Sequence, residues 1–205
     1  MDAYTQGLID VGKLVLTFAR VNRVTLHEDG STPESDTDHT VMLSICACSL
    51  AQTLYPKLDV GMVAQFAIVH DLVEVYAGDT NTFNITKEGR EEKEEREEKA
   101  FKRIKQEFDG IYSWIPSTIK AYESLETDEA QFVKVVDKIM TKLTHRINQG
   151  AYLRREGITK EETARHYGDQ TKIIQEKYGK KFPEVITILT TLTESILDET
   201  YANRQ

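Results

Sequence analysis

The 205-residue sequence is poor in several things, and each shortage excludes something. It has two cysteines, Cys46 and Cys48, too few for a disulfide framework. On a helix, residues two apart point to different faces and cannot readily pair. Core packing in a reducing interior is therefore their expected role. With four prolines and 11 glycines, no low-complexity linker or internal repeat stands out. No stretch approaches the ~20 apolar residues of a membrane span. The first 19 residues carry Asp2, Asp10 and Lys13 rather than a signal-peptide pattern. The expectation is a cytoplasmic protein with no membrane partner. Positive charge is also short: 26 Lys and Arg stand against 34 Asp and Glu, for a net charge of −8. That excludes a general nucleic-acid surface, which needs a basic stripe. It still allows a small anion held in a local basic pocket.

Strand alternation is absent as well, and helical periodicity dominates. Leu8, Val11, Val15 and Phe18 carry helical spacing over about residues 4–20. The polar segment from Arg20 to Asp38 contains Gly30, Ser31, Thr32 and Pro33 and is expected to be loop. Thr37 or Asp38 is the expected cap of a helix from about His39 to Leu54, ended by Pro56. Asp59 can open the next helix, which carries the apolar run Val63 to Val69 into His70-Asp71, and Gly78 breaks the pattern. Between Lys87 and Lys99 every residue except Gly89 is charged, five basic against seven acidic. This reads as a solvated helix laced with i,i+4 pairs. Further helices are expected from Pro116 to Leu125, from Thr127 or Asp128 to about Asn148, from Thr159 to Tyr178 and from Pro183 to Tyr201. The fold class read here is all-α: one domain over residues 1–205, with a core at about 5–148 and a C-terminal helical extension at about 158–202.

Certain polar residues sit where apolar ones are expected. His70-Asp71 ends an apolar run, and burying both is costly unless something satisfies them. His39 begins a helix whose next residues are largely apolar. Asp137 borders the arc of Val133, Val136 and Met140. Together they offer two imidazoles and two carboxylates, a donor set for a divalent metal with positions left for water and substrate. Spacing alone leaves a second reading open, in which each residue is a satisfied core or surface group. Glu74 follows His70 by four and Asp71 by three, on one helical face. Asp79 follows Gly78 in an expected loop, from which its carboxylate can swing toward the same place.

These residues resemble a known family. The order His39, His70-Asp71, Asp137 is similar to the H…HD…D signature of the HD-domain metal-dependent phosphohydrolases. Three blocks resemble the HD-domain 5′-deoxynucleotidases within that group: Pro33-Glu34-Ser35-Asp36-Thr37-Asp38-His39, His70 through Gly78-Asp79, and Ala130 through Asp137-Lys138. The resemblance covers roughly residues 5–145. It implies an all-helical HD bundle and hydrolysis of a (deoxy)nucleoside 5′-monophosphate to nucleoside and phosphate. It also implies roles: His39, His70, Asp71 and Asp137 as ligands of one divalent metal ion (Mn, Co, Zn, Fe or Mg), Glu74 as the acid that positions or deprotonates water, and Asp79 as the contact to the sugar hydroxyl. An arginine ahead of the first histidine grips phosphate in this family. Arg23 is the better match and Arg20 the reserve, and a planar guanidinium suits the task.

The chain departs from that family in one respect. Its relatives place a tryptophan at or just after the arginine, whereas Val24-Thr25-Leu26 follows Arg23 and the sole tryptophan is Trp114. The acids Glu28, Asp29, Glu34, Asp36 and Asp38 are expected at the pocket entrance. His145-Arg146 reads as a surface or interface pair, with a phosphate contact from Arg146 as the alternative. Residues 150–205 carry no motif and are expected either to cover the core or to form an oligomer interface. The same metal site would also serve a deoxynucleoside triphosphate triphosphohydrolase, with Lys87, Arg90, Lys138 or Lys142 as extra cations. A non-catalytic nucleotide-binding sensor is the third reading. The expected partners are a small-molecule nucleotide and a second copy of the chain, a homodimer being favoured, with no nucleic-acid polymer.

Overall fold

The computed structural model describes residues 1–83 and 85–202; the last three positions of the expected 1–205 domain lie outside the described residues. Helices dominate, and the fold is all-α. In chain order the elements are α1 (Ala3–Phe18), a small hairpin β1 (Asn22–Leu26) and β2 (Pro33–Ser35), α2 (Asp36–Leu54), α3 (Val60–Val69), α4 (Glu74–Ala77), α5 (Lys87–Phe108), α6 (Trp114–Ser124), α7 (Asp128–Ile147), α8 (Ala151–Arg155), α9 (Lys160–Tyr178) and α10 (Pro183–Thr200).

Helix α7 is the centre of the assembly. It packs against α2, α3, α6, α9 and α10 and also meets β1. Its inward stripe, including Phe132, Val133, Val136 and Met140, is buried in the main core. Thr127 accepts a hydrogen bond from the Ala130 N–H and fixes its start. Helix α3 starts as its sequence requires, with the Asp59 carboxylate accepting from the N–H groups of Gly61 and Met62. Residues Val60–Ala77 form an 18-residue apolar stretch, half buried, with mean hydropathy 1.3. Val63, Phe66, Ala67 and Val69 pack in the core, which accounts for much of that apolarity.

The segment expected to be loop is instead a hairpin. Strands β1 and β2 pair antiparallel, Asn22 opposite Ser35 and Leu26 opposite Pro33, with an irregularity between. Val24, Thr25 and Leu26 suit a strand, and Thr25 and Leu26 are buried. Asp29 closes the turn by accepting from the Ser31 and Thr32 N–H groups at 2.8 and 2.9 Å. Two short strands are too few residues for alternation to show in the sequence.

The cap of α2 also differs from expectation. Ser35, not Thr37 or Asp38, is the N-cap, and Asp38 returns a bond to the Ser35 N–H in a capping box. The helix therefore starts at Asp36, and His39 stands in its first turn. The C-terminal region covers the core: α10 packs on α7 and α9. It also builds a second apolar cluster in which Leu26 of β1 meets Tyr152, Leu153, Tyr167 and Ile196. Helix α8, unanticipated in the sequence, brings Tyr152 there.

Candidate metal centre

Three helices deliver the four expected ligands to one place. His39 comes from α2, His70 and Asp71 from the end of α3, and Asp137 from α7. One donor atom from each lies within 4.8 Å of the others. His39 Nε2 is 3.2 Å from Asp137 Oδ1, and His70 Nε2 is 2.9 Å from Asp71 Oδ2 and 3.8 Å from Asp137 Oδ1.

Whether this set fits a cation can be judged from its hydrogen bonds. The His70 Nδ1 lies 2.8 Å from the Ala67 carbonyl. A carbonyl only accepts, so Nδ1 carries the proton, and in the neutral ring Nε2 keeps its lone pair. That Nε2 is buried and has no hydrogen-bond partner despite its closeness to Asp71. A buried nitrogen lone pair aimed at two carboxylates fits a metal ligand.

His39 is oriented in the same manner by Glu34, whose Oε1 lies 3.6 Å from His39 Nδ1. Thr25 Oγ1 in turn donates to Glu34 Oε2. Burial lowers the affinity of His39 for its proton, but the hydrogen bonds to Asp137 and Glu34 outweigh it and raise the imidazole pKa to about 9. Holding a cation at Nε2 would require the ring to shed that proton. Burial alone would raise the Asp71 and Asp137 carboxyls. His70 and Arg23 hold Asp71 well below the usual carboxylate range, and Lys138 and His39 do the same for Asp137. Two ionised carboxylates therefore face two imidazoles, a donor set suited to a first-row divalent ion.

A cavity of about 270 Å³ opens from this cluster. Arg23, Glu74 and Asp79 line it, as expected. Arg23 Nη1 donates to Asp36 Oδ1 at 3.2 Å and to Asp71 Oδ2 at 3.1 Å. Residues 70–74 are wound more tightly than an α-helix, with Leu72 N–H bonded to Val69 O and Glu74 N–H to Asp71 O. This tight winding positions Glu74 at the pocket. Lys93 Nζ donates to Glu74 Oε1 at 3.0 Å, while Oε2 is buried without a partner. Burial and the Asp71 charge push the Glu74 carboxyl up to about 10. Gly78 takes φ +74°, a left-handed conformation natural to glycine, and turns the chain so that Asp79 faces the pocket.

Several expectations need correction. Arg20 is exposed beyond α1 and does not line the cavity. Glu34 and Asp36 are not acids of an exposed entrance loop: both are buried, one behind His39 and the other beneath Arg23. His145 is not a surface residue but is 2% exposed and lines the inner cavity. Arg146 turns away, bonding Ser195 and Glu199. Lys87 and Arg90 lie outside the cavity lining, and Lys138 is paired with Asp137 at 2.7 Å.

Lys142 is fully buried, an uncommon place for an ammonium group. Its Nζ donates to Gln170 Oε1 and, at 3.2 Å, to the Lys138 carbonyl. It also lies 4.3 Å from the centre of the Tyr167 ring. Burial and the Lys138 charge lower its pKa from 10.5 to about 7. Between these values the unfolded chain binds more protons than the folded one, so this group makes stability rise with pH across that window. Lys142→Met removes the effect. The variant should melt at least about 2 °C above the parent near about pH 6.5, with the gap closing toward about pH 9.5. Parallel melting profiles for the two proteins across pH would refute the assignment.

With the geometry in place, comparison with known proteins decides the family. The HD domain family matches residues 18–180. This chain belongs to the HD-domain family. The HD domain here is similar in structure to a protein described as a predicted metal-dependent phosphohydrolase from Magnetospirillum magnetotacticum MS-1. They share 21% identity over 98% of each chain, with a TM-score of 0.74. It is also similar to a conserved hypothetical protein from Pyrococcus furiosus, at 23% identity over 89% of this chain and 99% of the other, with a TM-score of 0.60. No curated protein matches this HD domain. Identities this low speak to fold alone.

Proposed function

We propose that this HD domain is a metal-dependent phosphohydrolase that converts (deoxy)nucleoside 5′-monophosphates to nucleoside and phosphate. The observation that carries the reading is the convergence of His39, His70, Asp71 and Asp137, the last three of which line a cavity together with Arg23, Glu74 and Asp79. The description of the Magnetospirillum protein as a metal-dependent phosphohydrolase is in keeping with it.

A divalent cation held by the four ligands supplies Lewis acidity toward phosphate and water and offsets the excess of acidic groups. Arg23 has five N–H donors. Asp36 and Asp71 engage only one of its nitrogens, leaving the rest of the fork for phosphate oxygens. The Lys93 ammonium anchors Glu74 through Oε1; a cation on the four ligands would offset the Asp71 charge that raises the Glu74 carboxyl, and the ionised Oε2 would then take a proton from the attacking water. Asp79 lines the same cavity, where it can accept from a sugar hydroxyl. The cations Lys93 and Lys138 are already paired with carboxylates, so Arg23 and Lys134 are the cavity cations left to meet phosphate.

The test is incubation of the purified protein with dAMP, AMP and dATP in the presence of Mn, Co, Zn, Fe or Mg. Inorganic phosphate from the monophosphates is the expected product. Tripolyphosphate from dATP would establish the triphosphohydrolase instead. Nucleotide binding with no product from any of them would leave a sensor.

A further inference from the structure

The cavity has two chemically different ends. The metal ligands, Glu74 and Asp79 make one of them acidic. The other is walled by Phe83, Tyr152, His166 and Tyr167, with His145 packed against both tyrosines and Gln170 also in the lining. Four of these six residues come from the α8 and α9 region, to which the sequence motifs assign no role.

The rings form a connected surface. Phe83 and His166 lie 4.3 Å apart between centroids, and Phe83 meets the edge of Tyr167 at 6.4 Å. Tyr152 and Tyr167 belong to the second apolar cluster and are buried within it, whereas Phe83 only packs at its margin. His166 is half-buried, as is Phe83. The tyrosines thus back the compartment, and Phe83 and His166 present ring surface to the cavity. Burial and the charges of Lys142 and Arg90 lower the His166 pKa to about 4, so its ring stays uncharged at physiological pH.

The loop that bears Phe83 is pinned. Asn81 Nδ2 donates to the Tyr152 hydroxyl at 2.8 Å, and Asn81 Oδ1 accepts from the Phe83 N–H at 2.9 Å. Arg96 Nη2 donates to Thr80 Oγ1 at 2.6 Å. Asp79 and Phe83 therefore stand on one fixed loop, the first at the acidic end and the second at the aromatic end.

Two polar groups complete the compartment. His145 Nδ1 is buried with no hydrogen-bond partner, and an orphaned polar atom on a cavity wall calls for a ligand. Gln170 has its Oε1 engaged by Lys142, so its amide offers Nε2 donors to whatever fills the space.

We propose that Phe83 and His166, packed on each other 4.3 Å apart and backed by Tyr167, form one aromatic surface against which a planar heteroaromatic ring packs, with His145 and Gln170 available to its polar edge. In the nucleotide reading above, on which this inference rests for its substrate, that ring is the base. Aromatic walls with few polar groups suit stacking, which tolerates different bases.

The test separates binding from turnover. Titration calorimetry on the metal-loaded full chain would measure 2′-deoxyadenosine and 2-deoxyribose against the parent, Phe83→Ala, His166→Ala and His166→Phe, each checked for fold by circular dichroism. The parent should bind the nucleoside more tightly than the sugar. Each alanine variant should weaken nucleoside binding roughly tenfold, and His166→Phe, which keeps a ring, should retain it. Kinetics with dAMP should show a raised KM and a nearly unchanged kcat in the alanine variants, while 2-deoxyribose 5-phosphate should behave alike in all. Nucleoside binding no better than sugar binding, or equal in parent and alanine variants, would overturn the compartment even if phosphate is released. Ring-dependent nucleoside binding without phosphate release would uphold it and remove the catalytic reading.

Discussion

Exchanging Asp137 for asparagine should strip the protein of its metal and of phosphate release together. Asp137 Oδ1 lies 3.2 Å from His39 Nε2 and 3.8 Å from His70 Nε2, at the meeting point of the two imidazoles. Its other oxygen accepts from Lys138 Nζ at 2.7 Å, which fixes the carboxylate. Asparagine has nearly the same shape but no charge, so the change tests the charge rather than the packing. With it gone, Lys138 loses its counter-ion, and the cluster retains a single ionised ligand, Asp71. Even residues that only orient metal ligands cost about 10–100-fold in metal affinity or activity when changed, so a ligand should cost roughly 100-fold or more. Metal content by plasma emission spectroscopy and phosphate release from dAMP would be measured on the same preparation. An asparagine variant that keeps both stoichiometric metal and more than a tenth of the activity would remove Asp137 from the metal centre.

Glu74→Gln should divide these two properties. The side chain is 2% exposed, and glutamine fills the same volume. Its carbonyl oxygen can still accept from Lys93, but an amide cannot take a proton from water. A positioned general base contributes about 10²–10⁴ in rate, and kcat should fall within that range while metal content stays at the parent level. Loss of metal in parallel with activity would make Glu74 a ligand. A kcat within a few-fold of the parent would show that the proton goes elsewhere.

The site's chemistry was more legible in the sequence than its surroundings. His39, His70, Asp71 and Asp137 stood out because each is a ligand type set beside apolar neighbours, a placement that burial makes costly without a partner. Asp59 and Thr127 were readable as caps because their side chains bond backbone only two or three residues away. Glu34 and Asp36 were misplaced for the opposite reason. A run of acids looks solvated in sequence, and only the hairpin, held by Asp29 at its turn and by buried Thr25 and Leu26, folds two of them inward behind His39 and Arg23.

His145 shows the same limit. Next to Arg146 near a helix end, it had the pattern of a surface pair. Its burial depends on Tyr152 of α8 and Tyr167 of α9 packing over it, contacts that lie outside its own helix. Tyr152, His166, Tyr167 and Gln170 line the cavity for that reason alone.

The sequence by itself determined the helical class and most helix boundaries and singled out the four residues of the His/Asp cluster, because periodicity, capping and ligand chemistry are local properties of neighbouring residues. Only the tertiary structure decided which acids are buried, which arginine enters the pocket and what walls its far end. Those outcomes depend on which helices pack together, and packing is settled by contacts that no short stretch of sequence contains.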